Sequence, residues 1–549
     1  MSENGIHIVD VVVVVAYLIG ITLLGVWIGR SVKGTGDFFM PRRFGKGMMM
    51  MHAFGTGTAS DQAVIVASGT FRNGLSGIWF QWLWLFNTPF YWLIAPIFRR
   101  LRAVTTADVY CLRFGSSVSI LFALIGIIGL SVKIGLMLKG AGALIESGTG
   151  GALSAEWSMP LVAVLFVAYG TAGGLGAAIV TDYIQGILTV VFSFILLPSV
   201  LIAVGGLSGI RETVRSPEML SMVAPEEINV VFIGTFALLS LVGIVAQPFI
   251  MGVCSAGRTE FDGRFGFVVG NLIKRVCTAA WALTGVGALA FYMQSGVEVT
   301  ALNPDEIYGA MAQQFLPALL PGILGLFIAA LLSGVMSSCD SFMISASGLF
   351  TENLYRPYVR EKTEAHYLLV GRAVALGIVL GGILTAYLLP NVVAGLKLWL
   401  KIAPMLGIAF WIGLFWRRYN AMGAWVSTVT GFVGWWALSG TSLSEPVQIL
   451  CYLGFASVAG ILASLLSRPP SKEKVERFHA LIRTPVLQGE EVLAPCQLPL
   501  GANSNKRATF LAGTNFEFPV PSRVSIVGFM LSSLAVAGMI YGFVWIMNW

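Results

Sequence analysis

The chain has 549 residues, of which 56% are hydrophobic and only 11% are charged. Soluble domains carry about 25% charged residues, so this composition excludes a soluble globular protein and places most of the mass in lipid. The formal net charge of +7 is predicted to reflect membrane topology, because cytoplasmic loops collect lysine and arginine, and we expect no nucleic-acid partner.

Apolar stretches long enough to cross a bilayer, which takes roughly 20 residues, recur about fourteen times along the chain. The sequence therefore predicts an all-α integral membrane protein with about 14 transmembrane helices. The first stretch follows a slightly acidic segment rather than the basic region of a signal peptide, so we expect it to remain as a span. Basic loops alternate with base-free loops, and one basic loop is predicted to hold Arg258, Arg264, Lys274 and Arg275. With an even number of spans, both termini are expected outside a plasma (inner) membrane.

Two polar interruptions divide apolar runs that would otherwise span the bilayer. The first is GTGTASDQA at residues 55–63, and the second places Gly243, Gln247 and Pro248 inside an apolar segment. Irregular backbone survives in hydrocarbon only where it is buried in protein or lines a cavity. Two broken helices in one chain indicate a secondary transporter built from inverted repeats, with its binding site near the middle of the membrane.

Two further segments carry polar groups inside apolar helices. Ser337, Ser338 and Ser341 fall on one helix face, and Gly334 lies one turn earlier. Their oxygens suit a small hard cation, although small residues also allow two helices to pack closely. Asp182 lies just inside another apolar run, where an ionisable group indicates either an ion site or a salt bridge.

Residues 468–522 form the main polar segment, and 523–549 are predicted to be a final transmembrane helix. KEKVERFHALI within the polar segment predicts a short amphipathic helix on the cytoplasmic side. We interpret 468–522 as a cytoplasmic linker, with a regulatory role as the alternative. The cysteines and histidines have no metal-binding spacing, and no nucleotide-binding or hydrolase motif occurs, so we expect no cofactor and no enzyme activity.

Three motifs together resemble the sodium/solute symporter family, which includes bacterial proline, sialic acid and glucose-type sodium symporters. They are TASD in the first broken helix, GTAGGLGAAIVTDYIQ around Asp182, and GVMSSCDS around Ser338. The resemblance covers residues 9–467. It implies a thirteen-span transport domain at 1–467, containing a LeuT-type core of two inverted five-helix repeats at roughly 46–416.

The same resemblance implies specific ion sites. Its sodium site would use five residues: Ala59, Gln62, Gly334, Ser337 and Ser338. Some family members are thought to hold a second sodium, and the matching positions are Asp182, Ser338, Ser341 and Asp340. Because Asp340 occupies a place that is often serine, this second site could take an ion or a proton, or pair with a lysine.

Four residues are candidates for substrate binding: Asp61, Gln81, Lys133 and Gln247. Gln81 and Asp61 match positions that act in sugar, sialic acid and proline symporters, but Ser240 and Ile244 replace aromatic residues of the proline symporter, which counts against proline. Lys133 lies in mid-span and needs a partner, because an unpaired ammonium in hydrocarbon costs about 2.5–3.5 kcal/mol or more. A substrate carboxylate is the favoured partner, with Asp61 and Asp340 as alternatives.

Together these expectations describe a sodium-coupled symporter that takes up a small, carboxylate-bearing organic solute by alternating access. Its partners would be the solute, sodium and the lipid bilayer. Two alternatives remain open: a proton-coupled transporter of the same fold, and a solute-sensing membrane protein that signals through 468–522. Lys397 and Lys401 are expected near the outer mouth, as interfacial residues or as an electrostatic funnel for anions.

Overall fold

The computed structural model describes residues 7–30, 38–40, 42–56, 58, 60–224, 227–486, 490, 494–499, 509–511 and 513–548. The first half of the described chain contains ten helices: α1 (Ile8–Gly29), α2 (Lys46–Gly55), α3 (Ser60–Asn73), α4 (Trp79–Trp82), α5 (Tyr91–Leu101), α6 (Thr106–Phe114), α7 (Ser116–Gly148), α8 (Ala155–Val204), α9 (Gly206–Val214) and α10 (Val230–Gly243). Ten more follow: α11 (Pro248–Ser255), α12 (Glu260–Gln294), α13 (Ile307–Phe315), α14 (Ile323–Gly348), α15 (Glu364–Leu388), α16 (Val392–Phe415), α17 (Ala421–Ser439), α18 (Glu445–Leu466), α19 (Lys472–Arg483) and α20 (Arg523–Asn548). Two short strands, β1 (Thr509–Phe510) and β2 (Phe518–Pro519), pair antiparallel.

Nine helices among the described residues are long and apolar enough to cross a membrane, or ten if the bent pair α10 and α11 forms one span. This number is smaller than the fourteen apolar stretches in the sequence because several stretches are broken into shorter helices. The clearest internal break lies in α8, where Gly174 has φ +60° and ψ −163°. A Cβ at Gly174 would meet the Phe38 backbone oxygen at 2.7 Å, so glycine is required there for both backbone conformation and space.

Both predicted helix breaks are present. α2 ends at Gly55 and α3 begins at Ser60, while α10 and α11 meet at an angle of 64° just before Pro248. The two halves of the first broken helix pack against α7, α8, α12 and α14. Gly140 of α7 approaches so closely that a Cβ there would lie 2.6 Å from the Asp61 Cα. The first break is therefore held in the packed centre of the molecule.

One topological expectation is wrong. Lys274 and Arg275 do not lie in a loop, because α12 begins at Glu260 and carries both residues about 21 Å along its axis at 1.5 Å per residue. Both side chains are buried. Arg264 also lies within α12 and donates a hydrogen bond to Ser525 Oγ at 3.0 Å. These cations are part of the helical interior and cannot be counted as loop charges.

The polar segment at 468–522 is attached to the membrane domain where it is described. The predicted amphipathic helix forms as α19 and packs on α5 and α6. Glu517 accepts hydrogen bonds from Arg483 Nε at 2.6 Å and from Arg417 Nη1 at 2.5 Å, which connects the segment to the end of α16. We call α19 and Glu517, with the salt bridges between them, the α19 clasp.

Candidate functional site

The first helix break presents backbone carbonyls to two neighbouring helices. Thr56 leaves the helical conformation, with ψ at 106°, so the carbonyls before it are released from the regular helical pattern. The Gly55 carbonyl accepts a hydrogen bond from Ser338 Oγ of α14 at 2.9 Å, and the Thr56 carbonyl accepts one from Lys274 Nζ of α12 at 3.1 Å. Ala59, predicted as a sodium ligand, lies outside the described residues.

The other predicted sodium ligands gather beside this break. Ser337 and Ser338 are fully buried on α14, one turn after Gly334. Gln62 is buried in the first turn of α3, and its Oε1 has no hydrogen-bond partner among the described residues. Hydroxyl, carbonyl and amide oxygens are the ligands that a hard cation prefers. The donor set at the break therefore fits sodium.

Asp182 is buried between the broken helix and α14, and both of its oxygens are engaged. Its Oδ1 accepts a hydrogen bond from Ser337 Oγ, and its Oδ2 lies 2.6 Å from His52 Nδ1. Thr56 Oγ1 lies 3.2 Å from the same ring nitrogen. The sequence analysis missed His52, whose only local signal was a histidine in an apolar helix one turn before the break.

The remaining residues of the predicted second ion site are less connected to Asp182. The Asp340 carboxylate packs so closely against Gly170 of α8 that a Cβ there would overlap it. Ser341 is buried, and its hydroxyl has no hydrogen-bond partner in the part of the chain that the structure describes. The structure thus joins Asp182 to Ser337 and His52, and no such bond links it to Ser341.

Lys133 is paired within the protein. Its Nζ lies 3.1 Å from Asp61 Oδ2, and both side chains are almost completely buried. The ammonium also lies 4.6 Å from the centre of the Trp399 ring, a cation–π geometry. Of the three partners considered for Lys133, the structure selects Asp61, so the favoured substrate carboxylate is not needed to neutralise this charge.

Lys397 and Lys401 are paired as well. Their ammonium groups lie 2.8 Å and 2.7 Å from the two carboxylate oxygens of Glu445 at the start of α18. Because Glu445 offsets part of their charge, these lysines form a weaker funnel for anions than the sequence suggested.

A small cavity of about 50 Å³ lies beside the first break. Three predicted substrate residues, Gln81, Lys133 and Gln247, are on its wall, as are Lys274 and Arg275. Arg275 Nη1 donates to the Gln81 carbonyl at 2.5 Å and to Gln81 Oε1 at 3.1 Å. The sequence analysis missed both cations as site residues because it placed them in a loop.

A second, larger pocket of about 610 Å³ lies toward the far end of α3. Asp305 on its wall accepts a hydrogen bond from Ser68 Oγ of α3 at 2.9 Å and another from the Val392 amide of α16 at 3.0 Å. This carboxylate therefore connects the second half of the broken helix to the start of α16.

Broken helices around a buried polar cavity, in a mostly helical apolar chain, are typical of membrane transporters of the LeuT fold. Two solved structures share this fold. A Na⁺-coupled sialic acid symporter superposes with a TM-score of 0.74 at 18% identity, covering 85% of this chain and 99% of that one. A nucleobase-cation-symport-1 family transporter, Mhp1, superposes with a TM-score of 0.55 at 13% identity, covering 81% and 98%.

The chain belongs to the sodium:solute symporter family, whose model matches residues 38–431. The osmoregulated proline transporter OpuE of Bacillus subtilis is 25% identical over 84% of this chain and 96% of its own length. The sodium/pantothenate symporter of Escherichia coli is 24% identical over 82% and 94%, and the sodium/glucose cotransporter of Vibrio parahaemolyticus is 25% identical over 84% and 91%. These relatives are transporters with different solutes.

Proposed function

We propose that the protein is a sodium-coupled symporter that takes up a small, carboxylate-bearing organic solute by alternating access. The observation that carries this proposal is the first helix break, where the Gly55 carbonyl and the hydroxyls of Ser337 and Ser338 converge. Sodium bound there by these groups, with Ala59, Gln62 and Gly334, would pin α2 and α3 against α14.

The broken helix also supplies the link between ion and solute. Its Thr56 carbonyl holds Lys274, and its Asp61 holds Lys133, so both lysines of the cavity wall are bonded to the segment that sodium would fix. Sodium binding would thereby stabilise one arrangement of the cavity. Coupling of this kind is reciprocal, so the solute must increase the affinity for sodium by the same factor as sodium increases the affinity for the solute.

The proposal includes the finer architecture that the family relationship suggests. The chain would cross a plasma (inner) membrane fourteen times with both termini outside, and two inverted five-helix repeats would form the core at roughly 46–416. Gln81, Gln247 and the Lys133–Asp61 pair would contact the solute in a cavity that must enlarge to admit it. Residues 468–522 would serve as a cytoplasmic linker between the thirteen-span domain and the final helix.

A proton-coupled transporter of the same fold is the second candidate. It is favoured by the buried pair of His52 and Asp182, which places two ionisable groups in contact at the proposed second ion site. In this version Asp182, with Asp340 and Ser341 nearby, would carry a proton rather than a second sodium.

The test is uptake by protein reconstituted in vesicles, with sodium and pH gradients imposed separately. Ser338→Ala removes one proposed ligand and is expected to raise the sodium concentration for half-maximal uptake about tenfold, the equivalent of about 1.4 kcal/mol. Ser457→Ala is the matched control, since that serine only bonds to the Leu453 carbonyl of its own helix. An unchanged sodium activation curve for Ser338→Ala, or uptake driven by pH and indifferent to sodium, would overturn the sodium proposal.

A further inference from the structure

Two cations on the wall of the small cavity form no salt bridge with any residue that the structure describes. Lys274 and Arg275 are neighbours on α12 and are only 4% and 2% exposed. No carboxylate within the described ranges lies within ion-pair distance, 4.0 Å, of either side chain. Their hydrogen-bond partners among the described residues are neutral: the Thr56 carbonyl for Lys274, and the carbonyl and amide oxygens of Gln81 for Arg275.

The third cation of the cavity does not change this balance. Lys133 is neutralised by Asp61 at 3.1 Å. The polar residues that complete the wall, Gln62, Gln247 and Asn271, are uncharged amides. The cavity therefore carries a formal excess of two positive charges.

Such an excess is expensive at this depth. A buried ion without a partner pays a desolvation penalty that neutral hydrogen bonds only partly offset. A neutral donor would satisfy the Thr56 carbonyl equally well, so a structural role does not account for the charge of Lys274. Arg275 also retains a buried Nε with no hydrogen-bond partner among the described residues.

We infer that the transported solute is a small dianion with two carboxylates, one held by Lys274 and the other by Arg275. This inference rests on the proposed function and assigns carboxylate recognition to α12 rather than to Lys133. The rings of Trp84 and Trp399 on the same wall would cover the carbon chain between the acidic groups. A zwitterion would bring a third positive charge into the cavity, so the site selects against amino acids as well as neutral sugars.

The first experiment measures thermal unfolding of the purified protein in sodium, with ligands of matched length. Succinate carries two carboxylates, its monoamide succinamate carries one, and γ-aminobutyrate carries one carboxylate with an ammonium. A ligand that binds only the folded state stabilises it according to RT ln(1 + [L]/Kd). Succinate is expected to bind at least tenfold more tightly than either analogue, and equal or better binding by an analogue would overturn the inference.

Inorganic phosphate provides a further arm, because it carries its negative charge on one group rather than two. Stabilisation by succinate and not by phosphate supports two separated carboxylates. Phosphate binding as tight as succinate binding would overturn that assignment, because both cations would then act on a single group.

Single substitutions then assign the two carboxylates. Lys274→Gln and Arg275→Gln are each expected to weaken succinate binding about 10- to 100-fold, the range for a lost hydrogen bond to a charged group. Each should also reduce the preference for succinate over succinamate, which a purely structural defect would leave intact. Arg258→Gln is the control, since that side chain precedes the same helix and is 58% exposed.

The test distinguishes a loss of ligand binding from a loss of folding. Removing an unpaired buried charge is expected to leave the unfolding temperature of the unliganded protein equal or higher, and Lys274→Met checks this with an apolar side chain of similar length. If the variants retain full succinate binding, the inference is wrong. If sodium stabilises the protein but a neutral or singly charged solute binds best, only the inference of a dianionic solute is refuted. If sodium has no effect on stability, the proposed sodium-coupled function itself is refuted.

Discussion

The buried pair of Lys133 and Asp61 makes a quantitative prediction. At the observed 3.1 Å and an effective dielectric constant near 20, the attraction between the two charges is about 5 kcal/mol. Asp61→Asn leaves the ammonium buried without its counter-charge, and we expect it to lower the free energy of unfolding by about 3–5 kcal/mol. Lys133→Met should cost a similar amount, because it strands the carboxylate.

The double variant is the decisive member of the series. Replacing both charges removes the attraction together with both desolvation penalties, so Lys133→Met with Asp61→Asn should recover most of the stability lost by either single variant. The assay is a double-mutant cycle on the purified protein, measured by reversible unfolding in mixed detergent micelles. Coupling of about 2 kcal/mol or more is expected.

The matched comparison is the pair of Lys397 and Glu445, which has a shorter distance of 2.8 Å but side chains that are 31% and 27% exposed. Water screens such a pair, so its coupling should stay below about 1 kcal/mol. If the buried pair couples no more strongly than this exposed pair, burial does not set the strength of the interaction and the reasoning fails.

Three further predictions concern packing and the α19 clasp. Gly140→Ala should destabilise the protein by about 1–3 kcal/mol and impair uptake, because its Cβ would lie 2.6 Å from the Asp61 backbone. Gly234→Ala is the control and should change neither stability nor uptake, because the space around Gly234 is open. Equal shifts in the unfolding temperature of the two variants would contradict this account. Burial lowers the pKa of His479 to about 4, although Glu517 opposes this shift. His479 is therefore neutral in the folded protein at pH 6.5, whereas the unfolded chain takes up a proton there more readily. The free energy that keeps the clasp folded should fall by up to roughly 3 kcal/mol as the pH falls from 6.5 to 4. Hydrogen exchange in α19 measures this loss, and stability that does not change between pH 7 and pH 5 would refute it. Glu517→Gln should speed the same exchange at neutral pH by weakening the bonds from two arginines, and exchange as slow as in the parent protein would show that these bonds do not hold α19.

The helix breaks were predictable because their signal is local. Glycines, hydroxyls and an aspartate interrupt an apolar run at 55–63, and nothing beyond that run is needed to recognise the interruption. The serine face of α14 has the same local character. Helix α12 also had a visible start, since Thr259 and Asp262 form a capping box, and that signal would have placed Lys274 and Arg275 inside the membrane rather than in a loop.

Contacts between distant segments were not predictable. His52 and Asp182 are 130 residues apart, and their contact depends on how α2 packs against α8. The choice of Asp61 as the partner of Lys133 likewise depends on the close approach at Gly140, which no local pattern records. The number of spans differs for a related reason: apolar length identifies a crossing, but some apolar stretches form helices that are shorter than a full span, such as Ala155–Ala168.

The hydrogen bond from Ser338 to the Gly55 carbonyl has a consequence for the affinity of the ion. The Ser338 hydroxyl and the Gly55 carbonyl are both proposed to bind sodium. In this arrangement, however, the hydroxyl donates its hydrogen to the carbonyl. A cation that uses the Ser338 oxygen must first turn that hydrogen away, so association is an exchange of partners and only the difference between the two states appears as binding energy. If sodium binds here as proposed, this exchange would lower its net binding energy and favour its release on the side of the membrane where sodium is dilute.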